Sequence, residues 1–143
     1  MIELTLAVLA VLVASAIFSG AEAALFSLPL PKAQQMAESS ANGRVLLSLK
    51  TALARPIATI VIGNNLVNIV GTFYVAQLSQ EALAASPWAR AAFPFVLTLA
   101  VILFSEILPK NVGERYSTSL GGFIARPLSW LTWFAYPAVM LIE

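Results

Sequence analysis

Two carboxylates inside apolar stretches are the residues of this 143-residue chain most able to do chemistry. Glu22 lies in an apolar run near the N-terminus, and Glu106 lies near the end of another. An ionisable residue placed in this way is costly in a membrane and marks a functional site by default. Hydroxyl and amide side chains interrupt the same runs, at Ser15, Ser19, Asn64, Asn65, Asn68 and Ser105.

The chemistry open to these groups is that of oxygen ligands. Carboxylate, amide, hydroxyl and backbone carbonyl oxygens select magnesium, calcium, manganese or sodium over zinc or copper. The chain contains no cysteine and no histidine, and its acidic residues are all glutamates. Thiolate and imidazole metal sites are therefore excluded, as are the commonest catalytic groups of intramembrane proteases. We predict a cation site and no enzymatic activity, with a proton relay through the two carboxylates as the competing interpretation.

Three apolar runs must position these groups. The chain is 59% hydrophobic and only 10% charged, whereas a soluble domain carries roughly 25% charged residues. Runs over residues 4–30, 57–78 and 91–108 approach or exceed the about 20 residues that cross a bilayer. The polar segment 32–55 contains a turn signal at residues 39–43 and predicts a helical hairpin.

The C-terminal part, residues 120–142, is apolar but is interrupted by Arg126, Pro127 and Pro137. A fourth span is one interpretation. We favour a juxtamembrane helix at the interface, because its tryptophan and tyrosine residues prefer the interfacial layer. The predicted fold is an all-α membrane protein with three transmembrane helices, a cytoplasmic helical hairpin and this C-terminal helix.

The basic residues predict the orientation. Four of the eight lysines and arginines lie between the first and second runs, and only Arg90 lies between the second and third. By the positive-inside rule, we expect a multi-pass protein of the cell membrane with its N-terminus outside and residues 32–55 in the cytoplasm. The net charge of +1 gives no reason to expect a nucleic-acid partner.

Depth and spacing predict that the polar groups converge. At ~1.5 Å per residue, Glu22, Asn64 and Glu106 each lie about 5–10 Å to the cytoplasmic side of their span's midpoint. Ser15 and Ser19 share a helix face with Glu22, and Asn68 lies one turn from both Asn64 and Asn65. The bland alternatives are that the serines and asparagines serve helix packing, and that Glu106 pairs with Lys110 or Arg115.

Backbone oxygens are further candidates. We expect Gly20 and Gly63 to mark points where a helix opens and exposes carbonyls, which is tolerated at membrane depth around a cavity. We also expect Pro109 to end the third span. Because proline has no N–H, the carbonyl of Ser105 loses its helical partner, and we expect this freed carbonyl to be a cation ligand beside Glu106.

Three segments resemble the membrane domain, known as DUF21, of the CNNM/CorC magnesium transporters. They are SGAEAALFS at residues 19–27, GNNLVN at 63–68 and SEILPK at 105–110. The resemblance covers essentially the whole chain, and three ordered motifs make it specific. It implies three spans plus a juxtamembrane helix, with the ion held by Ser19, Glu22, Asn64, Asn65 and Glu106.

The resemblance also implies a homodimer that exports Mg²⁺, with Na⁺ entry as the proposed driving force and membrane lipid around it. ATP would bind only to cytosolic CBS domains, which we expect to be absent from this chain. With the positions predicted from spacing, the candidate metal ligands are Ser19, Gly20, Glu22, Gly63, Asn64, Asn65, Asn68, Ser105 and Glu106. The alternatives are a proton-coupled carrier for another cation, and a membrane anchor or dimerisation module with Gly71, Gly121 and Gly122 at its packing surface.

Overall fold

The computed structural model describes residues 1–139, and every structural statement below concerns those residues. Their backbone consists of helices joined by short turns and contains no strand, which confirms the predicted all-α fold. In chain order the helices are α1 (Ile2–Ser27), α2 (Leu30–Ser39), α3 (Ala41–Thr51), α4 (Ala54–Ala82), α5 (Pro87–Ala100), a π-helix (Val101–Ile107), α6 (Leu108–Arg115) and α7 (Ser117–Val139).

Three continuous helical segments are long and apolar enough to cross a membrane. They are Ile2–Ser27, Ala54–Ala82 and Pro87–Arg115, the last combining α5, the π-helix and α6. Large apolar side chains along these segments, such as Ile69 and Phe95, point away from the rest of the chain and are exposed. Outward-facing apolar side chains on such helices are what a lipid environment requires, because the bilayer core is itself apolar.

The expectation that Pro109 ends the third span is wrong. The helix runs through this proline to Arg115. In the π-helix just before it, the N–H of Leu108 donates to the carbonyl of Leu103, five residues back. The α-helical pattern then restarts at Leu108, so Pro109 lies in the first turn of α6, a position where proline is tolerated.

The predicted openings at Gly20 and Gly63 are also absent, because both lie inside unbroken α-helix. These glycines are used for close approach between helices. A Cβ built on Gly63 would lie 2.6 Å from the ring of Phe18 on α1. Real Cβ atoms essentially never come under 3.0 Å, so a larger residue would require the Phe18 ring to move or the two helices to separate.

Helices α2 and α3 form a hairpin whose turn is the single residue Ser40. The Ser40 side chain accepts a hydrogen bond of 2.9 Å from the backbone N–H of Gly43, and this N-cap starts α3. The hairpin is fastened to the first span by Lys50 on α3. Its ammonium donates to the carbonyls of Leu25 and Phe26, at 2.7 and 3.0 Å.

The main core lies where the hairpin, the end of α1, the start of α4 and helix α7 meet. Its fully buried side chains include Leu25, Leu28, Leu46 and Ile60, with Leu128 of α7 nearly as buried. Helix α7 is not among the candidate spans of the described residues. Positions 140–142 of the predicted juxtamembrane helix lie outside the described residues.

Candidate functional site

Helix α1 is the axis of the candidate site. It packs against α4 on one side and against the π-helix and α6 on another, whereas α4 and α5 barely touch. A polar residue of the second or third span can therefore reach another span most directly through α1. The polar residues of α1 that face inward are Ser15 and Ser19, both fully buried.

A hydrogen-bonded cluster joins the first and second spans. The hydroxyl of Ser15 donates to the side-chain oxygen of Asn64 at 2.8 Å. The amide nitrogen of Asn68, one turn along α4, donates to the same oxygen at 3.4 Å. The spacing of four residues between Asn64 and Asn68 thus places both amides at the contact with α1, as the sequence predicted.

Two oxygens beside this cluster have no protein partner. The hydroxyl of Ser19 and the side-chain oxygen of Asn68 are both buried, and neither has a hydrogen-bond partner within the described chain. A buried polar atom without a partner costs about 1–3 kcal/mol. Such atoms call for an explanation, and an ordered water or a bound ion is a common one. Ser19 lies one turn beyond Ser15 on α1, and Asn68 lies one turn beyond Asn64 on the antiparallel α4, so the two oxygens lie on opposite sides of the Ser15–Asn64 bond. Each is available to a water or to a bound cation.

The third span meets α1 at the same level. Ser105, fully buried in the π-helix, donates from its hydroxyl to the carbonyl of Leu12 at 3.1 Å. Leu12 lies one helical turn from Ser15, so the π-helix places Ser105 close in depth to the Ser15–Asn64 bond. The next residue, Glu106, is half-buried, and its carboxylate makes no hydrogen bond or ion pair with the described residues.

The second carboxylate lies in an ion pair. The ammonium of Lys110 on α6 approaches the Glu22 carboxylate to 3.3 Å. The sequence offered Glu106, four residues before Lys110, as a structural partner for this lysine. The structure pairs Lys110 with Glu22 instead, across the contact between α6 and α1.

The predicted single layer of ligands is in fact spread along α1. Glu22 lies seven residues beyond Ser15, which is about 10 Å along the helix axis. Asn65 is exposed, and its side-chain amide makes no hydrogen bond within the described chain. Gly20 and Gly63 stay within their helices, so nothing opens their carbonyls toward the cluster.

Sequence reasoning left out two buried hydroxyls. Ser15 was placed on the same face as Ser19 but was not among the candidate ligands, although it makes the shortest cross-helix bond of the cluster. Thr59 on α4 is buried, and its hydroxyl has no partner in the described chain. The available signal was the same for both, namely a polar residue interrupting an apolar run.

The donor set is a mixed one. No group of three or more histidine, cysteine, aspartate or glutamate side chains converges within residues 1–139. A cation between these spans would be held by hydroxyl and amide oxygens together with single carboxylates, as suits Mg²⁺, Ca²⁺ or Na⁺. The fold and the cluster define a helical membrane domain with a polar site between its spans.

Comparison with known proteins agrees with this class. The family model described as "CNNM: Cyclin M transmembrane N-terminal domain" matches residues 6–143, and the chain belongs to this family. It is a transporter-type family of membrane domains, often linked to divalent-cation transport.

Similar proteins come from bacteria and plants. The chain is 42% identical to a UPF0053 protein of Synechocystis over 144 aligned residues, which cover all of this chain and 41% of that protein. It is 32% identical to a chloroplastic DUF21 domain-containing protein of Arabidopsis thaliana, over 91% of this chain and 20% of that protein. It is also 32% identical to the UPF0053 inner membrane protein YfjD of Escherichia coli, over 82% and 28%. The chain thus spans less than half the length of these relatives.

Proposed function

We propose that this chain is the membrane domain of a magnesium transporter that exports Mg²⁺ from the cytoplasm by alternating access, with Na⁺ entry as the driving force. The observation that carries the proposal is the buried oxygen cluster between α1 and α4. Its Ser19 hydroxyl and Asn68 carbonyl oxygen are desolvated and unpartnered, and Ser15 already orients the amide of Asn64.

The proposed ligands follow from this cluster and from the carboxylates on either side. Magnesium dehydrates reluctantly and usually keeps several waters, so the unpartnered oxygens would bind either the ion or its waters. Glu22 and Glu106 together would balance the two positive charges. The proposed set is Ser19, Glu22, Asn64, Asn65, Asn68, Ser105 and Glu106, without Gly20 and Gly63, whose carbonyls stay within their helices.

The proposed topology places the N-terminus outside and the α2–α3 hairpin in the cytoplasm of a multi-pass cell-membrane protein. It is supported by the basic residues of the hairpin and of the start of α4, namely Lys32, Arg44, Lys50 and Arg55. We further propose a homodimer, regulated by ATP only through cytosolic domains that would follow this part of the protein.

Mg²⁺ titration of the protein in lipid nanodiscs tests the assignment. Asn64→Ala and Glu106→Ala should each abolish binding and leave a folded protein, because each removes an oxygen ligand. Gln77→Ala is the matched control, since it removes an exposed amide from the same helix. Unchanged affinity in both site variants would show that the cation binds elsewhere or not at all.

Reconstitution separates the coupling ions. In proteoliposomes, Mg²⁺ movement that follows an imposed Na⁺ gradient and ignores a pH gradient supports sodium coupling. The reverse dependence would favour a proton-coupled carrier that uses the same carboxylates.

The alternative interpretation of the chain as a dimerisation module has less support. Gly71 packs against Val11, and Gly121 packs against Leu46, both within one chain. These small residues are therefore already used between helices of the same protomer.

A further inference from the structure

We propose that Lys110 is a tethered cation that occupies the Glu22 carboxylate when no metal is bound and that the transported ion must displace. This inference rests on the proposed function, and it assigns a role to a residue outside the proposed ligand set. The observation that carries it is the 3.3 Å approach of the Lys110 ammonium to Glu22 across the α1–α6 contact.

Charge balance requires the exchange. A carboxylate within a span is costly unless a cation accompanies it, and Lys110 supplies that cation. A divalent ion bound at Glu22 would supply that cation instead. If Lys110 stayed in place, its ammonium and the ion would face the same carboxylate and would repel each other.

The geometry allows the exchange without moving a helix. The backbones of α1 and α6 pack closely, since a Cβ on Gly113 would lie 2.3 Å from the carbonyl oxygen of Gly20. The lysine side chain is free to move, since it has four rotatable bonds and is 49% exposed, against 22% for Glu22. Its ammonium can therefore swing out to the open surface while α6 stays in place.

The exchange gives Lys110 two effects on transport. Before binding, the ion pair with Glu22 competes with the incoming cation and lowers its apparent affinity. After binding, the returning ammonium neutralises Glu22 as the cation leaves, so that the empty site is not left as an unpaired charge. Lys110 is in this sense a positioning and competing residue, and it is not a ligand of the ion.

Mg²⁺ titration of Lys110→Gln in nanodiscs tests the competition. We expect affinity to rise about fivefold, because a partly exposed ion pair contributes up to ~1 kcal/mol and that energy corresponds to about fivefold in a dissociation constant. Lys32→Gln is the matched control, since it removes an equal charge from an exposed lysine whose ammonium, within residues 1–139, hydrogen-bonds only to Gln35. A Lys110→Gln affinity equal to or weaker than that of the unaltered protein would overturn the inference.

Amine labelling of the unaltered protein gives a second readout that needs no variant. An amine-reactive reagent followed by mass spectrometry should modify Lys110 more rapidly when saturating Mg²⁺ is present, and Lys32 at an unchanged rate. Slower or equal labelling of Lys110 would show that the ammonium stays on Glu22.

The two proposals fail in different ways. If the unaltered protein bound no Mg²⁺, the proposed function and this inference would fall together. If it bound Mg²⁺ but Lys110 neither weakened binding nor became more reactive, only the tethered-cation role would be lost.

Discussion

The hydroxyl of Ser15 on α1 and the side-chain oxygen of Asn64 on α4 form a 2.8 Å hydrogen bond in the interior between the first two spans. This bond fixes which edge of the Asn64 amide faces α1. It also ties the two spans together beside the unpartnered oxygens of Ser19 and Asn68. Substitutions of the residues that hold the cluster in place are therefore as informative as substitutions of the proposed ligands.

Ser15→Ala should weaken Mg²⁺ binding about tenfold, the lower end of the ~10–100-fold loss typical when an outer-shell partner of a ligand is removed. Its effect on stability should be small, because interhelical hydrogen bonds in membranes average about 0.6 kcal/mol. Titration and thermal unfolding of the same sample measure both quantities. Ser27→Ala, an exposed serine of the same helix, is the control, and unchanged affinity in Ser15→Ala would reduce Ser15 to a packing residue.

Gly113→Ala should destabilise the protein by about 1–3 kcal/mol, the usual cost of overpacking. The new methyl group would lie 2.3 Å from the Gly20 carbonyl oxygen, which is backbone and cannot rotate away. Gly122→Ala is the matched control, since its methyl group would meet only the end of the flexible Met36 side chain at 3.3 Å.

Both Gly113 and Gly122 are helical, so the gain in helix propensity from alanine is shared by the two variants. The difference between their thermal midpoints therefore isolates the clash at Gly113. Equal midpoints would mean that α1 and α6 do not pack as closely as the structure shows.

Gly71→Ala should lower the thermal midpoint, and Val11→Ala introduced with it should restore part of the loss. A Cβ on Gly71 would lie 2.5 Å from a methyl group of Val11, and the second substitution removes that methyl group. A double-mutant cycle gives the coupling energy between these two residues. No coupling, together with a loss of dimer in Gly71→Ala, would instead place Gly71 at a surface between protomers.

Lys50 makes stability depend on pH. Burial lowers the pKa of Lys50 below its usual value of 10.5 in the folded protein, so the unfolded chain binds more protons in the window between the lowered pKa and 10.5. Stability rises with pH wherever the unfolded state binds more protons. The contribution of Lys50 should therefore increase as pH rises through that window, because the desolvation penalty of its charge disappears.

Thermal midpoints measured across the alkaline range check this expectation. Lys50→Met should lack the rise and should also be less stable, since it loses the bonds to Leu25 and Phe26 at the end of α1. Lys32→Met, which alters an exposed lysine of the same hairpin, should keep the pH dependence of the unaltered protein. An identical profile in Lys50→Met would show that another group is responsible.

Much of the fold was predictable from composition and run length. Because the apolar thickness of a bilayer is set and every backbone group inside it must be bonded, a long apolar run has to become a spanning helix. Pro31 and Pro56 lie in the first turns of α2 and α4, where proline is tolerated. The prediction that Pro109 ends the third span was wrong. The effect of a proline depends on the hydrogen-bond register just before it, and the π-turn changed that register.

The polar residues within each span were also identifiable from the chain, and so was their grouping within each helix. Periodicity alone put Ser15 with Ser19 and Asn64 with Asn68, because positions four apart share a helix face. The partners across helices were not readable, since they depend on how each helix is rotated and how closely it approaches its neighbour. Packing of Gly113 against Gly20 set that approach for α6.

Glu22 and Glu106 show the division most clearly. Their type and their place in apolar runs already marked both as costly charges that need a cation. Which of them Lys110 neutralises was settled by the close α1–α6 contact, which carries the ammonium to Glu22. Local spacing could not show this, because an ion pair between two helices depends on their relative rotation and separation as well as on the residues themselves.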